Sequence, residues 1–215
     1  MAMGLKYLLS CGLPAYLSGT NIFLMPRPPH VGNCHTSSRM AKRLATARQS
    51  SRHLNKKYAL AIDAGLDTAQ RDQNLLVTRL LDDLYWVMSY SRWKDERYFP
   101  AFRDALLREH PGITSDGLRK AQEFNFQRYY YAGIGRYAPE AAYTRGLADV
   151  GVLARLVPAK GYVHRSQPTS IDAGIYGFIA NIHFYTIDTP LKRFVATQPN
   201  LVRHCLALHQ AVMRE

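Results

Sequence analysis

The stretch Gln167–Ile182, QPTSIDAGIYGFIANI, constrains the fold more than any other part of the chain. Thr169 followed three residues later by Asp172 reads as a capping box. The hydroxyl takes an orphan amide of the first helical turn, and the carboxylate reaches back to the Thr169 amide. A helix therefore starts here. Beyond it Ile171, Ile175, Phe178, Ile179 and Ile182 recur at helical spacing, while Ala173, Gly174, Gly177 and Ala180 are small enough for neighbouring helices to approach closely. The pattern predicts a central, mostly buried helix. Such a cap contributes on the order of 1 kcal/mol, and burial makes it matter more because no water replaces a lost partner.

Helical periods also dominate the rest of the chain after Ile62. A turn at Asp63-Ala64-Gly65, with Asp67 or Thr68 as cap, leads into a helix reaching roughly to Tyr98, whose apolar stripe is Leu76, Leu80, Leu84, Val87 and Met88. Tyr85, Trp86, Tyr90 and Trp93 make it unusually aromatic. Pro100 or the Pro111-Gly112 loop ends the segment. Ser115 caps a helix over about 116–132, which Gly133 and Gly135 close. Pro139 opens another, with Ala142, Leu147, Val150, Leu153 and Leu156 or Val157 facing inward. After the capped helix, Pro190 and Pro199 each open a further one, the last carrying Leu201, Cys205, Leu208 and Val212 on one side. No heptad seam, repeat or alternating strand series interrupts this, so the bulk is an all-helical bundle.

The region before Ile62 differs. Leu5–Gly12 is helical in pattern, Gly12-Leu13-Pro14 stops it, and Ala15–Phe23 is strand-like. Met25–Ser51 has no sustained period and is rich in Pro, Arg and Ser, which reads as loop or disorder. The net charge of +12 is unevenly placed: nine Lys/Arg and no acid precede Asp63, leaving 19 Lys/Arg against 16 acids after it. A basic, acid-free N-terminus fits a transit peptide, a nucleic-acid arm or sequence that never evolved as a surface. Pro26, Pro28 and Pro29 disrupt the amphipathic helix that targeting needs. Pro14, Ser18, Gly19 and Asn21 break Leu5–Met25, so no membrane span is expected.

Three cysteines, Cys11, Cys34 and Cys205, form no CxxC and no paired framework, which points to a reducing compartment and a cytoplasmic setting. No metal is expected, since His204 and His209, five apart on a helix, do not share a face. Nucleic acid is not expected either: Arg128 and the Tyr129–Tyr131 run could stack on bases, but consecutive helical residues point in different directions.

The order of Leu84-Tyr85-Trp86, Ser91-Arg92-Trp93, Gly133-Ile134-Gly135-Arg136, Asp149 with Leu153, Pro168-Thr169 with Asp172-Ala173, and Pro199-Asn200-Leu201 resembles the C-terminal helical domain of glutathione S-transferase-like proteins. The nearest branch is that related to failed-axon-connections and metaxin proteins, and the likeness covers about Leu54–Met213. It implies two domains. Residues 53–215 correspond to the all-helical domain, and residues 1–52 to a truncated or scrambled, partly disordered thioredoxin-like segment of which only Leu5–Phe23 is similar to the family's first helix and second strand. The fold class expected is mainly α, a helical bundle preceded by an incomplete thioredoxin-like α/β segment. In that family the capping box is a fold determinant, so the match gives Thr169 and Asp172 a structural role.

The same likeness implies glutathione as co-substrate, a hydrophobic electrophile as second substrate, and leaves a homodimer open. Tyr85, Arg92 and Trp93 lie where family members line the cleft between domains, so they are the substrate-cleft candidates. The competing reading makes Trp86 and Trp93 core and Arg92 an interdomain ion pair. The family's loop with a catalytic Tyr, Ser or Cys has no counterpart, and Ser10 and Cys11 fall late in the first helix, away from its positive end. No catalytic residue is therefore assigned. The function implied is glutathione-dependent transfer without a complete glutathione site, or a non-catalytic module that keeps the fold for ligand binding or interaction.

One reading accounts for Met25–Ser51. Combining the last base of each codon with the first two of the next lets the stretch at Asn33, Thr36 and Ser37 be reread as Lys-Leu-Pro-Tyr-Ile, and Met40 onward as Asn-Gly-Lys-Thr-Ile-Gly-Asp-Ser. The leucine and the first glycine are forced by the code and the others are permitted. These phrases resemble the family's cis-proline strand and Asp-Ser turn, so the hypothesis is a pair of compensating frame changes. The nucleotide sequence across this segment tests it: a single clean frame shared by close relatives removes it.

Overall fold

The computed structural model describes residues 62–213, and over them the chain forms seven α-helices and one 3-10 turn with no strand. The helices are α1 (Thr68–Trp93), α2 (Phe99–Glu109), α3 (Ser115–Tyr131), α4 (Pro139–Leu156), α5 (Ser170–His183), α6 (Pro190–Ala196) and α7 (Pro199–Met213), with the turn η1 (Ile134–Arg136) between α3 and α4. The mainly α expectation holds here. The Leu5–Gly12 helix, the Ala15–Phe23 strand, the Met25–Ser51 loop, the thioredoxin-like segment and its boundary at residue 52 lie outside the described residues.

α5 is the central helix that its sequence predicts. Ile171, Ile175, Tyr176, Ile179, Ala180 and Ile182 are buried on it, and it packs against α1, α6 and α7, while α4 closes the bundle against α1 and α6. Ile175, Tyr176 and Ile179 have no exposed surface. Burying such side chains contributes roughly 1.5–3 kcal/mol each.

Of the small residues on α5, only part of the expectation survives. A Cβ on Gly174 would stand 3.3 Å from Leu81 Cδ1, a close approach to α1, whereas a Cβ on Gly177 would meet no atom of the described residues within 4 Å. The tightest crossing lies instead at Gly146 on α4, where a Cβ would fall 2.5 Å from Val87 Cγ1.

Three boundaries correct the sequence reading. α1 ends at Trp93, not near Tyr98, because both Lys94 and Asp95 amides turn back to the Tyr90 carbonyl at 2.8 and 3.0 Å. The turn is held by buried Asp95, which accepts the Arg97 amide, the Arg97 guanidinium and the Tyr143 hydroxyl. Pro100 then sits in the first turn of an additional helix, α2, where its missing amide breaks no hydrogen bond. Thr114, not Ser115, caps α3, its hydroxyl accepting the Gly117 amide at 3.1 Å.

The start of α1 is rotated by one residue from the predicted stripe. Val77 and Leu81 are buried, Leu80 is half-buried and Leu76 is 70 % exposed. Adjacent leucines at 75–76 and 80–81 allow either register. The space above Gly174 selects the one that turns Leu81 inward. The helix is capped at Asp67 as expected: its carboxylate accepts the Gln70 amide at 2.8 Å, and Gln70 Oε1 accepts the Asp67 amide at 3.0 Å.

Candidate functional site

Four donors converge on the Asp172 carboxylate, which has no exposed surface. Oδ2 accepts the Thr169 amide and the Thr169 hydroxyl, each at 2.8 Å. Oδ1 accepts the Val163 amide at 2.9 Å and His204 Nε2 at 3.0 Å. The capping box is thus present, with the Thr169 side chain facing the Asp172 amide. Burial alone would push this carboxyl up. The bonds from His204, Val163 and Thr169 more than offset it and hold the group below the usual carboxylate range. A carboxylate so enclosed meets no substrate. It locks α5 to α7 and to the segment before α5.

A second carboxylate serves the same helix end. Asp63 accepts the Ser170 amide at 2.9 Å and the Ser170 hydroxyl at 2.6 Å. Arg165 donates to the carbonyls of Ala64 and Ile62, and Arg71 Nε donates to that of Leu66 at 3.0 Å. Gly65 turns this segment with φ of 80°, a conformation that needs glycine. The chain entering the bundle is therefore tied to the first turn of its central helix.

The three cleft candidates take separate positions. Trp93 is buried, its ring edge-on to Phe102 at 5.2 Å. Arg92 is half-buried: its Nη2 donates to the Asn181 carbonyl at 3.3 Å and to Asn181 Oδ1 at 3.2 Å, and its guanidinium lies 4.6 Å from the centre of the Tyr185 ring. These partners are neutral and belong to the same bundle; the expected interdomain ion pair involves a segment outside the described residues. Tyr85 is half-buried, 5.4 Å edge-on to Trp86. None of the three lines the depression of about 330 Å³ that opens between η1 and α4, whose walls are Ala132, Gly133, Arg136, Tyr137 and Arg145.

The aromatic run divides as helical geometry requires. Tyr129 is buried, its hydroxyl 2.6 Å from Ser89 Oγ, and Tyr130 and Tyr131 are exposed. His204 and His209 both turn toward α5, the first to Asp172 and the second, through Nδ1, to the Tyr176 hydroxyl at 3.0 Å. Among the described residues no group of three ligating side chains converges, and no helix is long and apolar enough to cross a membrane. Cys205 is buried and unpaired, and burial pushes its thiol up to about 12.

Sequence reasoning missed Asp63 as a cap and His204 as a partner of Asp172. The first carried a local signal, the Asp63-Ala64-Gly65 turn, without any indication of what lies across from it. The second carried none, because 32 residues separate the pair.

No solved structure matches the chain. Residues 146–208, which run from α4 through the capped α5 into α7, match the family model described as glutathione S-transferase, C-terminal domain. Residues 146–208 are thus similar to a glutathione S-transferase C-terminal domain, and the Thr169–Asp172 box lies within that match.

Proposed function

We propose that the chain is a glutathione S-transferase-like protein of the branch related to failed-axon-connections and metaxin proteins, with glutathione-dependent transfer as the activity this kinship implies. The observation that carries the reading is the match over residues 146–208, centred on a buried helix with the capping box that the family uses. In such a transfer the glutathione thiolate attacks an electrophilic carbon, the new S–C bond forms, and the leaving group departs with its electron pair. The described helices hold no accessible thiol, since Cys205 is enclosed and stays protonated at neutral pH. Their contribution is a wall for a hydrophobic electrophile, and glutathione itself brings the nucleophile. A cytoplasmic setting, and a homodimer, belong to the same proposal.

A second reading is a non-catalytic module that keeps the fold for ligand binding or interaction. It is favoured by Trp93, buried edge-on to Phe102, and by Arg92, whose Nη2 donates to Asn181 inside the bundle. Retention of the full chain on immobilised glutathione, followed by turnover of 1-chloro-2,4-dinitrobenzene, separates the two. Retention with turnover supports transfer; neither leaves the non-catalytic module.

A further inference from the structure

Eight large hydrophobic side chains are exposed among the described residues, and three of them, Tyr130, Tyr131 and Tyr137, fall at the end of α3 and beside η1. Singly scattered exposed residues need no explanation, but a cluster does. Arginines interleave with it. Arg136 lies 5.7 Å from the centre of the Tyr130 ring, and Arg145 lies 6.0 Å from that of Tyr137. The depression of about 330 Å³ opens among them, walled by Arg136, Tyr137 and Arg145. Arg145 already pairs with Asp83. Arg136 makes no ion pair among the described residues.

We propose that this tyrosine–arginine face docks an acidic segment of another protein, one that places an Asp or Glu side chain against Arg136 and an apolar side chain on the flanking rings. Tyr and Arg are the residues in which binding hot spots are enriched, and guanidinium groups resting on rings are pre-organised for a carboxylate. Charge complementarity selects the occupant. Residues 1–61 contain nine Lys/Arg and no acid, so that part of the chain has no carboxylate to offer Arg136. A second copy docked by two-fold symmetry would set this basic face against itself. Tyr129 is buried and Tyr130 and Tyr131 meet edge-on at 81°, so the run offers no continuous platform for successive bases.

The test selects random 12-residue phage-displayed peptides on the immobilised full chain, then measures binding of the enriched peptides, synthesised with a fluorophore, by anisotropy. The expected outcome is enrichment of Asp and Glu beside aromatic or aliphatic residues. Affinity should fall at least tenfold for Arg136→Glu and for Tyr131→Ala, and stay unchanged for Arg155→Glu, which is further along α4. All three side chains are exposed, and circular dichroism verifies that the variants fold. Equal weakening by Arg136→Glu and Arg155→Glu would mean diffuse attraction and overturn the proposal. So would peptides without acidic enrichment, no selectable peptide, tighter binding of an oligo(dT) strand through the same residues, or a dimer in sedimentation that Tyr131→Ala dissociates.

Discussion

Asp172 on α5 and His204 on α7 face each other at 3.0 Å, and neither has any exposed surface. The carboxylate that starts the central helix is therefore also the bolt between two helices. A cap alone is a local device; here it fixes where α7 lies.

Replacing Asp172 by Ala leaves the Val163 amide, the Thr169 amide and His204 Nε2 without their common acceptor in a place water does not reach. The expected loss is about 3–5 kcal/mol, the range for breaking a buried charge-assisted cluster from one side. Thr169→Ala keeps the carboxylate and its other donors and should cost about 1 kcal/mol. Urea unfolding of the full chain measures both; an Asp172→Ala loss under 1 kcal/mol would show the cluster to be dispensable.

The same cluster sets a pH dependence. The folded carboxyl of Asp172 is held below its unfolded value of about 3.9. Between the two values the unfolded chain binds the extra proton, so stability rises with pH there. The contribution is complete above about pH 4 and is lost as pH falls through the lower, folded value. Asp95, also lowered, acts in the same direction: burial opposes its ionisation, but the Arg97 and Tyr143 hydrogen bonds outweigh it. Stability measured from pH 6 down to pH 2.5 should drop more steeply for the wild type than for Asp172→Asn.

Asp63 and Ser170 share two hydrogen bonds across 107 residues of chain. Asp63→Ala should destabilise the bundle by about 1–2 kcal/mol, the cost of losing a helix cap. It should also speed amide exchange in the first turn of α5 ahead of the rest of that helix. Uniform exchange along α5 in the variant would mean the bond does not hold the helix end.

The extent to which the bundle is readable from its sequence follows from the range of each interaction. The α5 capping box lies within four residues, so the start of that helix is legible. The proline-opened helices α4, α6 and α7 likewise begin where a first-turn proline places them. Pro100 shows the limit of this logic, because the same residue reads as a stop until Asp95 is seen folding the preceding turn. The register of α1 depends on Gly174 lying opposite Leu81, and no local pattern encodes that pairing. The roles of Asp63 and His204 were hidden for the same reason. The cleft candidates rested on likeness alone, and packing absorbed Trp93.

Cys205 offers a test of burial independent of any partner. Its side chain has no exposed surface, and desolvation pushes the thiol up to about 12, so almost no thiolate exists at pH 7.5. Iodoacetamide should leave the Cys205 peptide unmodified in the native protein and alkylate it in 8 M urea, with mass spectrometry reading this cysteine apart from Cys11 and Cys34. Rapid native alkylation would mean that α7 detaches from the bundle on the labelling timescale.

Two glycines predict opposite responses to the same change. At Gly146 an added Cβ would stand 2.5 Å from Val87 Cγ1, 2.9 Å from Val87 Cβ and 3.3 Å from Leu191 Cδ2. Val87 is buried and β-branched, so it has no free rotamer into which to retreat. Gly146→Ala should therefore destabilise by about 1–3 kcal/mol through overpacking between α1 and α4. Adding Val87→Ala removes the obstructing methyls, and the double variant should be more stable than the sum of the two single losses allows, a coupling that identifies the contact. At Gly177 an added Cβ meets no atom of the described residues within 4 Å, and the residue is interior to α5. Gly177→Ala should then stabilise by about 0.5–1 kcal/mol, because alanine loses less backbone freedom on entering a helix. Thermal and urea unfolding decide both. Equal destabilisation at the two positions would mean that another helix closes on Gly177 in solution.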